Sequence, residues 1–204
     1  FRLTRPWGQL AAATSARVIL DRAGRWHVSL TAPQPTLSRT PTGAVVGIDL
    51  GIAATATTSD GDHLVMGELL TPAERARRCR LQRRLARQTK GSNRRGATKR
   101  ALARLTARET DRRKDWIEKT TTALVRDHDL IAIEDLQVKN MVRSARGTLD
   151  QPGTNVAQKR GLNRSIHTQG WALFRTRLEA KAAAAVDPDG TPRPVVVVAV
   201  NPAH

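Results

Sequence analysis

One cysteine, Cys79, stands in 204 residues. A lone thiol can form neither an internal disulfide nor a cysteine-rich zinc site, so neither device holds this chain together. No apolar stretch of the signal-peptide kind and no run of about 18 apolar residues occurs, which leaves export or a membrane span without support. A cytosolic protein is the expectation. Acidic residues are scarce as well: 18 Asp and Glu stand against 35 Lys and Arg, for a formal net charge of +17 and an isoelectric point of about 11.6. Such an excess points to a phosphate-rich partner. A basic membrane-surface helix is the competing reading, but it needs a broad apolar face that the basic stretch lacks. The five histidines (27, 63, 128, 167 and 204) show no metal-ligand spacing, and no internal repeat is present.

What is there is ordered along the chain. Ala16–Leu20 and Trp26–Thr31 are two β-type runs joined by a loop containing Gly24, the pattern of a hairpin. Thr31–Thr42 carries Pro33, Pro35 and Pro41 without periodicity and reads as a linker. A strand ending at Asp49, a Thr/Ala-rich run over 53–58 and a return strand over 63–66 then predict three antiparallel strands. From Thr71 the period changes. Thr71-Pro72-Ala73-Glu74 supplies an N-cap, a proline in the first turn and a capping-box acid. Gly91-Ser92-Asn93 interrupts that helix, and a second is predicted over about 97–128, with Leu102, Leu105, Trp116, Ile117, Thr120 and Leu124 as its apolar stripe. Residues 71–126 hold 19 Lys/Arg and 5 Asp/Glu, a net +14. Most of the chain's charge therefore belongs to one helical hairpin.

After the hairpin come a strand ending at Glu134 and a loose stretch over 137–160. An amphipathic helix over about 163–185 follows, with Ile166, Gly170, Leu173, Phe174 and Leu178 on one side, and then a strand over 195–200. The order predicts an α/β domain with parallel pairing among the later strands. Phe1 is not an initiator methionine, and the last strand stops four residues before His204, so a piece of a longer chain is expected.

Two strand ends carry the chemistry. Val45-Val46-Gly47-Ile48-Asp49 and Leu130-Ile131-Ala132-Ile133-Glu134 are each apolar runs that stop at a carboxylate. Such a carboxylate needs a cation or donors nearby, because an unpaired buried charge is expensive. Adjacent parallel strands would bring the two acids together, while Gly47 and Gly51 leave room for a ligand. Oxygen donors without Cys or His partners suit Mg²⁺ or Mn²⁺. Two such ions would activate a water and stabilise the leaving oxygen of a phosphodiester. Asp135 should face away and form a structural salt bridge. Asp60, Asp62, Asp187 and Asp189 read as turn acids, and Trp26, Trp116 and Trp171 as core residues. On the hairpin, Arg83, Arg84, Arg87, Lys90, Arg94, Arg95, Lys99 and Arg100 are the candidate contacts to a nucleic-acid backbone.

Several motifs then share an order. They are Gly47-Ile48-Asp49-Leu50-Gly51-Ile52, the basic hairpin, and Ile133-Glu134-Asp135-Leu136 with Asn140-Met141. Leu162-Asn163-Arg164-Ser165-Ile166 with Gly170-Trp171, and Val200-Asn201-Pro202, complete the series. In this order the chain resembles, over nearly its whole length, the TnpB (OrfB) family of transposon-encoded RNA-guided DNA endonucleases, relatives of the type V CRISPR effectors. The resemblance implies an RNase H-like (RuvC-type) mixed sheet over 43–204, with the basic helical hairpin (71–128) as an insertion. It implies Asp49 and Glu134 as the first two metal-binding acids, and guide RNA and target DNA as partners. Residues 1–42 would be the end of an oligonucleotide-binding wedge domain and a linker. The family's zinc ribbon and third catalytic Asp would lie beyond this sequence, and Zn²⁺ is expected only there.

Two rivals remain. Gly-Ile-Asp-Leu-Gly also opens the nucleotide site of actin- and Hsp70-type ATPases, but no second Asp-x-Gly-x-Gly/Thr phosphate loop is present and the chain is short for their paired domains. The other is a nucleic-acid-binding fragment or decayed relative without catalysis.

Overall fold

The computed structural model describes residues 12–148 and 150–201. They fall into two compact units, one built from the chain up to Pro35 together with Glu68–Arg112, the other from Thr36–Gly67 with Arg113 onward.

In the first unit, β1 (Ser15–Leu20) and β2 (Trp26–Thr31) form the antiparallel hairpin that the sequence suggests. Asp21 shapes its turn, accepting from the backbone N–H groups of Ala23 (2.8 Å) and Arg25 (2.9 Å). All twelve residues of the two strands are exposed, and Trp26 is 70% exposed. Trp26 is therefore not a core residue: a two-stranded ribbon has no interior of its own. Helix α1 (Pro72–Arg87) begins at the expected capping box, where Glu74 N–H donates to Thr71 Oγ1 (3.2 Å) and Thr71 N–H donates to Glu74 Oε2 (3.0 Å). The second helix, α2 (Asn93–Asp127), starts four residues before its predicted position. The cause is Ser92, whose Oγ accepts from Arg95 N–H (3.2 Å) and so moves the helix start to the break itself.

No residue of α1 is buried. Ion pairs tie α1 to α2: Arg78 with Glu109, and Glu74 with Arg108 (3.1 Å) and Arg112 (2.5 Å). The hairpin β1–β2 is tied to α2 by Arg25, which bonds Asp111 (2.5 Å).

The second unit holds a five-stranded mixed sheet. Its strands are β4 (Val45–Asp49), β5 (Ala56–Thr58), β6 (His63–Leu64), β7 (Leu130–Glu134) and β9 (Val196–Val200). They lie in the order β6-β5-β4-β7-β9. The β4–β7 and β7–β9 pairs are parallel, and β5 and β6 turn back antiparallel. A mixed α/β architecture with long helices is thus present. Period-two alternation sends Val46, Ile48, Ile131 and Ile133 into a core with Ile117, Leu124 and Val125 of α2.

That core also takes Ile166 from α4 (Val156–Gln169) and Trp171, Phe174 and Leu178 from α5 (Trp171–Ala183). These two helices replace the single helix predicted over 163–185. Gly170 separates them at φ +73°, where an added Cβ would stand 3.0 Å from Arg113 Cδ. Lys181 of α5 is buried and donates to Glu118 O (2.6 Å), Thr121 Oγ1 (2.8 Å) and Thr122 Oγ1 (2.9 Å) of α2.

Two further expectations change. Inside the presumed linker, β3 (Leu37–Ser38) pairs in parallel with β8 (Ala185–Val186), a partner too distant in sequence to leave a local signal. The stretch 137–160 is also more ordered than its composition suggests. It contains α3 (Val138–Met141), an antiparallel bridge between Gly147 and Pro152, and the first turn of α4.

Candidate active site

Strand register builds the site. The parallel ladder β4–β7 pairs Val45 with Leu130 through Ile48 with Ile133, so its next step sets Asp49 beside Glu134. Asp49 also pairs with Thr57 across β4–β5, and Glu134 with Val200 across β7–β9. Thr57, Asp49, Glu134 and Val200 thereby form one row over four strands. Asp49 is exposed and Glu134 half-buried, both on the sheet face opposite Ile48 and Ile133. A shallow hollow of about 450 Å³ lies over this row, lined among others by Gly47, Asp49, Thr57, Ser59, Ala132 and Glu134.

The two acids are electrostatically opposed. Burial raises the Glu134 carboxyl above the usual range; Leu50 N–H at 3.4 Å opposes this, and the charge of Asp49 and a hydrogen bond with its side chain raise the carboxyl further. No ion pair reaches either group among the described residues, whereas Asp135 pairs with Arg175, the structural role read from the sequence. This donor set fits a divalent cation: two hard oxygen ligands with unneutralised charge are what Mg²⁺ takes from protein, the rest of its shell being water or phosphate. Among the described residues no group of three or more His, Cys, Asp or Glu gathers.

The loop after Asp49 is held in place by the α4–α5 junction. Gln169 accepts from Thr55 Oγ1 (2.8 Å) through Oε1 and donates to Ile52 O (3.0 Å) through Nε2, while Trp171 Nε1 donates to Thr55 O (3.2 Å). Gly51 bends the loop so tightly that a Cβ would sit 3.0 Å from Ala54 O. Nothing in the sequence pattern singles out Gln169 or Thr55. Only the hydroxyl spacing along β5 and into the turn after it, next to the Asp49 strand, could have marked Thr57 and Ser59. Among the turn acids, Asp62 N–H donates to Thr58 Oγ1 (3.1 Å) and Asp189 Oδ1 accepts from Thr191 N–H (2.9 Å), both local turn bonds.

The candidate backbone contacts lie in the other unit. Arg83, Arg84 and Arg87 on α1, Lys90 in the turn, and Arg94, Lys99 and Arg100 on α2 are exposed and form no ion pair among the described residues. Arg95 differs. Its guanidinium donates to Leu85 O and Gln88 O (3.0 Å), closing the C-terminal end of α1.

A model of the OrfB_IS605 family, described as "Probable transposase", matches residues 27–145. The "Putative RNA-guided DNA endonuclease InsQ" of Escherichia coli (strain K12) is 38% identical over 176 residues, which are 85% of this chain and 43% of that protein. A "Putative RNA-guided DNA endonuclease" of Streptomyces pristinaespiralis is 36% identical over 182 residues, 89% of this chain and 41% of the relative. The chain thus spans about two fifths of the length of these curated relatives. The matched residues 27–145 include Asp49, Glu134 and the whole α1–α2 hairpin, and the chain belongs to the OrfB_IS605 transposase family.

Proposed function

We propose that this chain carries the first two metal-binding acids of a transposon-associated, RNA-guided DNA endonuclease that hydrolyses phosphodiester bonds by two-metal-ion catalysis. The observation that carries the reading is the shared strand row of Asp49 and Glu134, two like charges set side by side without a cation from the described chain. The sheet of the second unit would be RNase H-like (RuvC-type), with β1 and β2 the end of a wedge-type domain.

Asp49 and Glu134 would together hold Mg²⁺ or Mn²⁺. The bound ion supplies Lewis-acid activation of water and stabilisation of the leaving oxygen. The chain's own contribution is orientation: the parallel ladder sets the two acid-bearing strand ends side by side, and Gly47 and Ala132 add little side chain to the floor of the hollow. The arginines of the hairpin would hold guide RNA and heteroduplex through backbone charge and leave sequence to base pairing.

A second reading, binding without catalysis, is favoured by one finding: only two acids meet at the strand ends among the described residues. Incubation of guide RNA and target DNA with Mg²⁺ separates the two readings. Cleavage that disappears in Asp49→Ala supports the endonuclease. Cleavage unchanged in Asp49→Ala removes the site assignment, and absence of any cleavage by the parent supports the binding-only reading.

A further inference from the structure

Lys139, Arg143, Arg160 and Arg164 form a second basic surface, in the unit that holds Asp49 and Glu134. All four are exposed, and none meets an acid among the described residues. The composition there is one-sided, with six Lys/Arg and a single acid, Asp150, over 137–169. Arg160 and Arg164 are four residues apart and share a face of α4.

Specific bonds bring the two halves of this surface together. Asn163, between those arginines in sequence, donates from Nδ2 to Val142 O (2.8 Å) and Arg143 O (3.4 Å). Lys159 Nζ donates to Met141 O (2.8 Å) and so works inside the fold. These bonds fix α4 against the end of α3 and set Arg143 alongside Arg160 and Arg164. Helix α3 begins four residues after Glu134. Lys139, five residues on, is therefore within about 18 Å of Glu134 even along an extended chain.

We infer that this surface grips the backbone of the DNA presented to Asp49 and Glu134, a task separate from that of the α1–α2 hairpin. The inference rests on the endonuclease reading of the carboxylate pair. Cations without counter-ions beside a carboxylate pair offset its repulsion of an incoming phosphate chain.

The test is fluorescence anisotropy over a salt series, with labelled oligothymidylate and a labelled stem–loop RNA as probes. The variant combines K139Q, R143Q, R160Q and R164Q. Its log–log salt slope for the DNA should become shallower by about 0.7 for each phosphate no longer neutralised, roughly 3 in all. DNA affinity should fall at least tenfold, while RNA affinity holds within about twofold. The charge-preserving set K139R, R143K, R160K and R164K should bind DNA like the parent. An unchanged DNA slope, an equal loss for RNA, or a loss in the charge-preserving set would each overturn the inference. Cleavage persisting in Asp49→Ala would remove the endonuclease site and leave the binding result standing.

Discussion

At the base of the α1–α2 hairpin arginines meet carboxylates: Arg78 pairs with Glu109, and Arg108 and Arg112 pair with Glu74. Toward its turn, Arg83, Arg84, Arg87, Lys90, Arg94, Lys99 and Arg100 have no such partner among the described residues. The strand ends of the second unit repeat the pattern with opposite sign, for Asp49 and Glu134 stand together while neighbouring Asp135 is paired to Arg175. In both regions the chain had oppositely charged residues at hand and used them a few positions away. Unneutralised like charge costs stability through self-repulsion, and on the proposed function its concentrations are where external charge would be met. Phosphate fits the first and a divalent cation the second.

The largest expected effect breaks this comparison at the acids. Asp49→Ala or Glu134→Ala should abolish Mg²⁺-dependent DNA cleavage and leave nucleic-acid affinity within about twofold, measured by gel assay and anisotropy. Next is the hairpin turn. Replacing Arg83, Arg84, Arg87, Lys99 and Arg100 by Gln should flatten the salt slope of single-stranded RNA binding by about 3.5, at about 0.7 per phosphate. Arg78→Gln at the base should instead lower thermal stability and leave that slope unchanged.

Smaller effects sharpen the structural side. Lys181→Ala strips three α2 acceptors of their donor and should destabilise by about 2 kcal/mol in urea titration. Gly170→Ala should cost about 1 kcal/mol or more, since φ is +73° and Arg113 Cδ lies 3.0 Å from the new Cβ. Thr71→Ala removes the N-cap of α1, at about 1 kcal/mol.

The smallest expected effect has an informative sign. The Glu134 carboxyl is raised in the fold, so between its unfolded and folded values the native state binds more protons. Stability is then lost as pH rises through that window. Glu134→Gln should accordingly raise the melting temperature slightly at neutral pH, with the gain fading in acid. Glu74 behaves oppositely. Arg112, followed by Thr71 N–H, holds its carboxyl down at about 2, so its contribution is present above the ordinary Glu range and is lost as pH falls toward that value.

How much was legible followed the range of each signal. The capping box at Thr71, the β1–β2 hairpin, and the apolar runs ending at Asp49 and Glu134 are local patterns, and each became the element expected. The break at Gly170 was missed because its apolar neighbours continue the helical period on both sides; only packing against Arg113 and Ile117 reveals the left-handed turn. The β3–β8 pair joins Leu37 to Ala185, a separation at which no window of sequence carries information. Trp26 failed for another reason: size and apolarity mark a residue able to be buried, not the layer that would cover it. At the candidate site the two acids were readable and the Gln169–Thr55 brace was not, since a lone Gln looks like any surface residue.

The most direct measurement is residue-resolved Mn²⁺ broadening of backbone amide signals in the 22.3 kDa chain, with Asp49→Ala as control. The amides of Gly47, Leu50, Ala132 and Asp135 should vanish first in the parent and persist in the variant, with the effect strengthening as pH rises and Glu134 ionises. Equal broadening in both proteins, or broadening that begins elsewhere, would contradict the assignment of Asp49 and Glu134 as the metal-binding pair.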